Sequence, residues 1–388
     1  MGKRVLGEPV VGPESPRNMG SNTLTDRPVV RAVGNRQDFL DGIRGLAALY
    51  VVLHHTWLEI WPADRFPSGR VMALTGWLMW GHLAVTIFIV ISGYCLTLPV
   101  VLRPEKPFRI PEFFKRRAKR ILPAYYFGFL LTGILLFFFI GHKTGTHWDI
   151  VLPPTPRSII LGLLLQPDIE GTINHAYWSI GVECKIYLLF PLIVFLQRRV
   201  GVWTTAATAS WITFPAAFAI RNESWAAVSP HYLAIFCWGS AAAYVVNSPE
   251  PCWRKIRGSR LWVLALVAAA IATVFLCYSW GWAPQRIFAL DALAGAGGVA
   301  LLVVAGRSGS NPLRNLLSGK PLVLLGGFSY SLYLVHAPLI QVVWQYLISV
   351  WFREAVPQFL GMLGIGVPLI VLSAWVFYRF CEKPFMPR

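Results

Sequence analysis

The sequence predicts an all-α protein of the polytopic transmembrane class: a bundle of about ten spans with both termini in the cytoplasm. Three observations carry that expectation. Of 388 residues, 55% are hydrophobic and only 14% charged, with a mean hydropathy of +0.54, a balance foreign to soluble globular domains. Ten apolar stretches recur along the chain, and most reach the roughly 20 residues that cross a bilayer. Finally, 26 of the 35 Lys and Arg fall in the alternate segments assigned to the inside, against 7 in the segments between them. Such a split sets the orientation of helical membrane proteins.

In chain order, residues 1–37 are polar and rich in Gly, Pro, Ser and Arg, which reads as a flexible basic cytoplasmic tail. Nothing resembling the apolar core of a signal peptide precedes Phe39, so the first span is expected to serve as an uncleaved anchor. Residues 38–388 form the membrane domain. Spans are expected at 39–58, 73–100, 121–141, 177–196, 202–220, 231–247, 261–280, 286–306, 326–351 and 359–380. Residues 158–166 are too short to cross and read as re-entrant or interfacial. No internal repeat and no matched pair of broken helices, as many transporters carry, is visible. The net charge of +17 lies in loops between apolar spans rather than in a compact basic domain, which excludes nucleic acid as a partner. The six cysteines are scattered and mostly lie in or beside spans, where Cys behaves as a small hydrophobe. Neither a disulfide framework nor a metal site is expected.

The first span, DFLDGIRGLAALYVVLHHTW, carries Asp41, Arg44, His54 and His55. Ionisable groups are costly in hydrocarbon, and four in one span suggest a polar site facing a protein-lined cavity; interfacial anchoring is the plainer alternative. Arg44 and His55 are eleven residues apart, which returns nearly to the same helix face about 16 Å along the axis. His54 points about a quarter-turn away.

Further on, Ser92-Gly93 in FIVISGYCL permits close helix packing or a local backbone break. The loop EFFKRRAKRILPAYY concentrates Lys115, Arg116, Arg117, Lys119 and Arg120 before Pro123. A positive-inside anchor explains most such clusters. Arg117 and Arg120 share a helix face, however, and guanidinium groups bind phosphates by paired, charge-assisted hydrogen bonds, so a cytoplasmic phosphate-bearing cofactor is a credible ligand. In NHAYWSIGVECKIYLLFP, Glu183 is expected at a depth comparable with His55, needing a cationic or histidine partner; Lys185 is the other candidate, and His175 reads as interfacial. FSYSLYLVHAPL places Ser329, Ser331 and His336 among aromatics. Asp291 is expected to pair with Arg286, and Glu382 and Lys383 to act as interfacial anchors.

Taken together, LDGIRGLAALYVVLHH, FIVISGY, RRAKRILPAYY, WSIGVECKIYLLFP, YSLYLVHAPL and the closing CEKP resemble, in content and order, the acyltransferase-3 family of integral-membrane acyltransferases. Each motif alone is weak. The resemblance covers residues 38–384 and implies transfer of an acyl group, usually acetyl, from acyl-coenzyme A to a hydroxyl of a saccharide, lipid or macrolide-type acceptor, in the cytoplasmic membrane. The family's arginine and histidine fall on Arg44 and His55, and its fourth-span glutamate on Glu183. Cys184, Lys185 and the Glu382-Lys383-Pro384 ending depart from its usual residues.

On that basis His55 is the expected general base, Glu183 its orienting carboxylate, and Arg44 a clamp on the coenzyme or its thioester carbonyl. Arg116, Arg117, Arg120 and Ser92 are the expected coenzyme-binding residues. Acetyl-coenzyme A or another acyl-coenzyme A is the co-substrate, with no metal. Direct transfer and an acyl-His55 relay both fit. A transporter or flippase for a glycolipid or polysaccharide intermediate is the competing class, and release of free thiol separates the two.

Overall fold

Each of the ten apolar stretches falls on helix in the computed structural model. It describes residues 1–2, 37–167, 173–220, 229–279, 284–309 and 311–386, without the side chains of 279 and 284–286. The polar tail expected over 1–37 lies almost wholly outside the described residues. Residues Gln37–Arg388 cluster as one compact unit, and among the described residues there is no strand. The principal helices are α1 (Asp38–Ile60), α2 (His82–Leu102), α3 (Ile110–Leu135), α4 (Pro156–Leu163), α5 (Trp178–Val200), α6 (Val202–Ile220), α7 (His231–Asn247), α8 (Leu261–Ser279), α9 (Pro284–Ala305), α10 (Lys320–Gly327), α11 (Ser329–Val343) and α12 (Val367–Phe377). Among the described residues, seven helical stretches are long and apolar enough to cross a membrane. The other three expected spans coincide with α1, which carries charged residues, and with α6 and α7.

Helix α1 is the axis of the molecule. It packs against α2, α10 and α11 and buries Phe39, Ile43, Ala48, Val51 and Val52. The contrast is α8, apolar on every side, whose Leu264, Val267, Ile271, Val274 and Phe275 are exposed. A helix of that composition is stable with its outer face in hydrocarbon.

Helices α2 and α7 approach until their backbones touch. A Cβ at Gly93 would lie 2.0 Å from the carbonyl oxygen of Phe236, and one at Gly239 would lie 2.0 Å from that of Val90. Small residues at such crossings are the common device of membrane helix packing. Beside them Thr97 and Ser240 share a hydrogen bond of 2.6 Å, and Gln197 donates to Ser240 at 2.6 Å, so the two hydroxyls of the seam are paired. The close-packing role read for Ser92-Gly93 is the one observed.

The segment expected to be re-entrant or interfacial contains the short helix α4, opened by a reciprocal Thr155–Ser158 cap at 3.0 and 3.1 Å. Tyr125 and Tyr126 of α3 donate to its last carbonyls, Gly162 at 2.7 Å and Leu163 at 3.0 Å. Orphan carbonyls at a helix end need such donors.

One expectation falls outside the described residues and another is corrected. The side chain of Arg286 lies outside the described residues, and Asp291 is fully buried with other partners: Thr86 donates to it at 2.6 Å, His231 stands at 3.0 Å, Tyr232 donates at 3.3 Å and His82 lies at 3.6 Å. Glu382 is not an interfacial anchor. It is 2% exposed and accepts from the backbone N–H of Ser331 at 3.2 Å and its hydroxyl at 2.5 Å, where the first turn of α11 presents unpaired N–H groups.

Candidate active site

The unbroken run of α1 carries Arg44 and His55 on one stripe about three turns apart, and each lies in a different polar region. Arg44 lines a cavity of about 200 Å³ together with Arg117 and Arg120 of α3. The three guanidiniums come from helices that the sequence separates by some seventy residues. Arg44 is steadied by Asp41 at 3.2 Å, one turn back on α1, and donates to the Cys95 sulfur at 3.2 Å. Arg117 and Arg120 face inward while Arg116 is exposed on the other side of the helix, as their spacing requires. The Arg117 Nε is buried with no hydrogen-bond partner, leaving a donor available to a ligand.

Glu183 and Ser92 line the same cavity. Ser92 donates to the Glu183 carboxylate at 2.9 Å and Tyr187, one turn further along α5, donates to the same oxygen. Ser92 and Tyr187 are 3.0 Å apart. The expected depth of Glu183 beside His55 is therefore corrected. His175, which packs on His55, precedes Glu183 by eight residues, about 12 Å of helix rise. The carboxylate is one of the fixed groups lining the cavity that holds the arginines.

One turn above Glu183, Ser179 closes the cavity with Tyr333. Their hydroxyls are 2.7 Å apart, and Tyr333 donates to the Ala176 carbonyl at 2.7 Å. Beyond this pair stands the second region, a nest of histidines around His55. The ring centroids of His54 and His175 lie 4.7 Å from that of His55, His336 at 5.1 Å and His147 at 5.9 Å. His175, read as interfacial, is packed on the expected base.

Each ring is placed by its own segment. Asn174 caps the turn that carries His175, accepting from the Ala176 N–H at 3.0 Å and donating to the Leu334 carbonyl at 3.2 Å. Gln341 of α11 holds the loop that carries His147, accepting from Thr146 at 2.7 Å and donating to Thr144 at 3.1 Å. In that loop, outside the spans, burial pushes the His147 imidazole down to about 4, so the ring is neutral at pH 7. His54 commits its Nδ1–H to the Leu78 carbonyl at 2.7 Å, and His336 its Nδ1–H to the Tyr333 carbonyl at 2.8 Å. The Nδ1 of His55, by contrast, is buried without a hydrogen-bond partner. Of the two adjacent histidines on α1, His54 is the one tied down.

The sequence offered no signal for His147, which sits in a polar loop, or for Tyr187 and Tyr333, which read as ordinary span aromatics. All six cysteines are free. His55, His147 and His175 bring ring nitrogens within 4.8 Å of one another, a juxtaposition that sequence spacing did not suggest.

A family model described as an acyltransferase domain matches residues 37–379. Among curated proteins, the chain is 26% identical over 319 residues to the acyltransferase MdmB of Streptomyces mycarofaciens, covering 76% of this chain and 77% of that one. It is 25% identical over 374 residues to the O-acetyltransferase OatA of Staphylococcus aureus, covering 89% of this chain but only 56% of the relative. It is also 25% identical over 374 residues to the putative membrane-bound transacylase BcsY of Komagataeibacter xylinus, covering 87% of this chain and 81% of that one. No solved structure matches.

Proposed function

This chain belongs to the acyltransferase family of that model, a multi-pass membrane O-acyltransferase, and we propose that it moves an acetyl group from acetyl-coenzyme A to a hydroxyl of a saccharide, lipid or macrolide-type acceptor. The single observation that carries this reading is the polar track along α1: three guanidiniums at one end, a histidine with an uncommitted ring nitrogen at the other, and between α1, α2, α3, α5 and α11 a cavity that holds the arginines and ends at Ser179 and Tyr333.

Arg117 and Arg120, with Arg44 behind them, suit the phosphates of a coenzyme. Arg116 stands outside that set. Ser92, Glu183 and Tyr187 form the polar wall along which a pantetheine arm runs, with its amides meeting hydroxyl and carboxylate groups. The thioester then lies near Ser179 and Tyr333. His55 takes the proton of the acceptor hydroxyl as its oxygen attacks the thioester carbonyl, and collapse of the tetrahedral intermediate releases the coenzyme thiolate, which is reprotonated. His54, held by Leu78, and His175, held through Asn174, fix the ring of His55, and direct transfer needs no acyl-enzyme. Glu183 acts on the donor rather than on His55. The name of the Staphylococcus relative supports acetyl as the group moved.

The topology follows the same logic. With ten spans, both ends in the cytoplasm and residues 1–37 a basic tail, the arginines meet cytoplasmic donor and His55 meets an acceptor at the outer face of the cytoplasmic membrane. The test is free-thiol release from acetyl-coenzyme A by purified protein supplied with membrane and envelope extract. Release that requires the extract and His55 is expected. No release with any short acyl-coenzyme A from folded protein would favour a transporter.

A further inference from the structure

We propose that His55, His147 and His175 form a binding site for one divalent transition-metal ion of the zinc class, and that its occupancy silences acyl transfer by claiming a ring nitrogen of His55. Only the silencing rests on the acyl-transfer reading; the site itself does not.

The geometry comes first. One nitrogen from each ring lies within 4.8 Å of the other two. Zinc held by imidazoles at about 2.0–2.1 Å in tetrahedral geometry requires nitrogens roughly 3.4 Å apart. The half-buried rings therefore have to close by little more than an ångström. The three come from separate segments: α1, the loop after α3, and the turn before α5. Coordination would cross-link all of them.

The chemistry of the donors sets the ion. Three imidazoles favour zinc, cobalt, nickel or copper over magnesium or calcium, which prefer oxygen. Two further observations point to a cation here. The His55 Nδ1 is buried without a hydrogen-bond partner, as is the Nε2 of the adjacent His336. One turn beyond His55 on the same face, the carboxylate of Glu59 is 4% exposed, with its Oε1 unpartnered. It lies against Thr146 and Trp148, the two residues flanking His147. Neutral imidazoles do not offset the charge of a buried dication, and a carboxyl group packed beside His147 does once it gives up its proton. Acyl transfer as derived above has no use for Glu59.

The experiment uses the full chain, purified in detergent, stripped with a chelator and titrated with cobalt(II) alone. About one ion per chain is expected, with the strong visible absorption of tetrahedral cobalt, and zinc should displace it. His147→Ala and His175→Ala should each abolish the absorption. His147→Asn, closer in size and polarity, should do the same if the alanine variant fails to fold. Glu59→Gln should weaken binding roughly 10–100-fold, the usual cost of losing a supporting carboxylate. The weak spectrum of octahedral cobalt, or tetrahedral bands that persist in a folded His147 variant, would overturn the site. Thiol release measured over the same zinc titration separates the two claims. Inhibition that tracks cobalt displacement supports silencing, and full activity at saturating zinc overturns it. Metal-free protein that binds cobalt yet never releases thiol would leave the site standing and remove the acyl-transfer reading.

Discussion

The two polar regions at either end of α1 are built on opposite rules. Around the arginines the flanking groups are held, with Asp41 and Cys95 on Arg44 and Ser92 and Tyr187 both donating to Glu183, and what stays open is a donor, the Arg117 Nε. Around His55 the supporting atoms are committed to carbonyls, but the ring nitrogens that face inward are not. A region that grips a charged ligand needs fixed geometry before the ligand arrives, since ordering side chains on binding costs affinity. A region that moves a proton needs a lone pair that the fold has not already used. The proposed function thus separates binding and chemistry along one helix, and on that proposal a substitution at one end should not imitate a substitution at the other.

The largest test of that separation is His55→Ala. Turnover should fall by about 10²–10⁴-fold, the usual contribution of a positioned base, while binding of acyl-coenzyme A measured by calorimetry stays unchanged. Lost coenzyme binding would mean that the two regions are one. Next comes Arg120→Ala, which removes a charge-assisted contact worth about 1.5–3 kcal/mol. The KM for the donor should rise about 10–100-fold with kcat nearly constant, and the gap from wild type should narrow as salt is raised, because screening weakens the contact that only the wild type makes. Arg116→Ala, on the exposed side of the same turn, is the internal control and should leave KM alone. His54→Ala should reduce kcat by only about 2–10-fold, the value of one hydrogen bond that orients its neighbour; a loss exceeding that of His55→Ala would reverse the assignment of the two histidines. The smallest effect is the most discriminating. Glu183→Gln should change the donor KM yet leave the apparent pKa of the pH–rate profile where it was, because the carboxylate is remote from His55. A shifted profile would restore Glu183 as the partner of the base.

Much of this was legible in the sequence, for reasons that differ by residue. Each apolar run picked out by hydropathy falls on helix because a bilayer leaves few alternatives for such a run, whereas α10, mostly outside those runs, was not expected. The stripe from Arg44 to His55 followed from helical periodicity alone, and the inward turn of Arg117 and Arg120 from their spacing of three. Depth on different helices was not legible. Glu183 seemed level with His55 because each was measured from its own apolar boundary, and α5 in fact begins with a capped turn at Asn174 that shifts its register. Asp291 was expected to pair along its own helix with Arg286, and Glu382 looked like a boundary charge. Only the tertiary fold shows His231 above one and the start of α11 above the other. His147 was invisible for the same reason: Gln341, far along the chain, is what brings its loop home.

The seam between α2 and α7 has a mechanical consequence. With Gly93 against the Phe236 carbonyl and Gly239 against that of Val90, those two backbones cannot slide or part without losing contact along their whole crossing. Ser92, next in line, is therefore bolted to a fixed jaw. Any widening that admits a nucleotide-sized donor has to be taken up by the opposite jaw, where α3 and α11 bring Arg117, Arg120 and Tyr333 to the cavity. The cavity thus has one rigid wall, and Arg117 and Arg120 stand opposite it while Arg44 stays on α1.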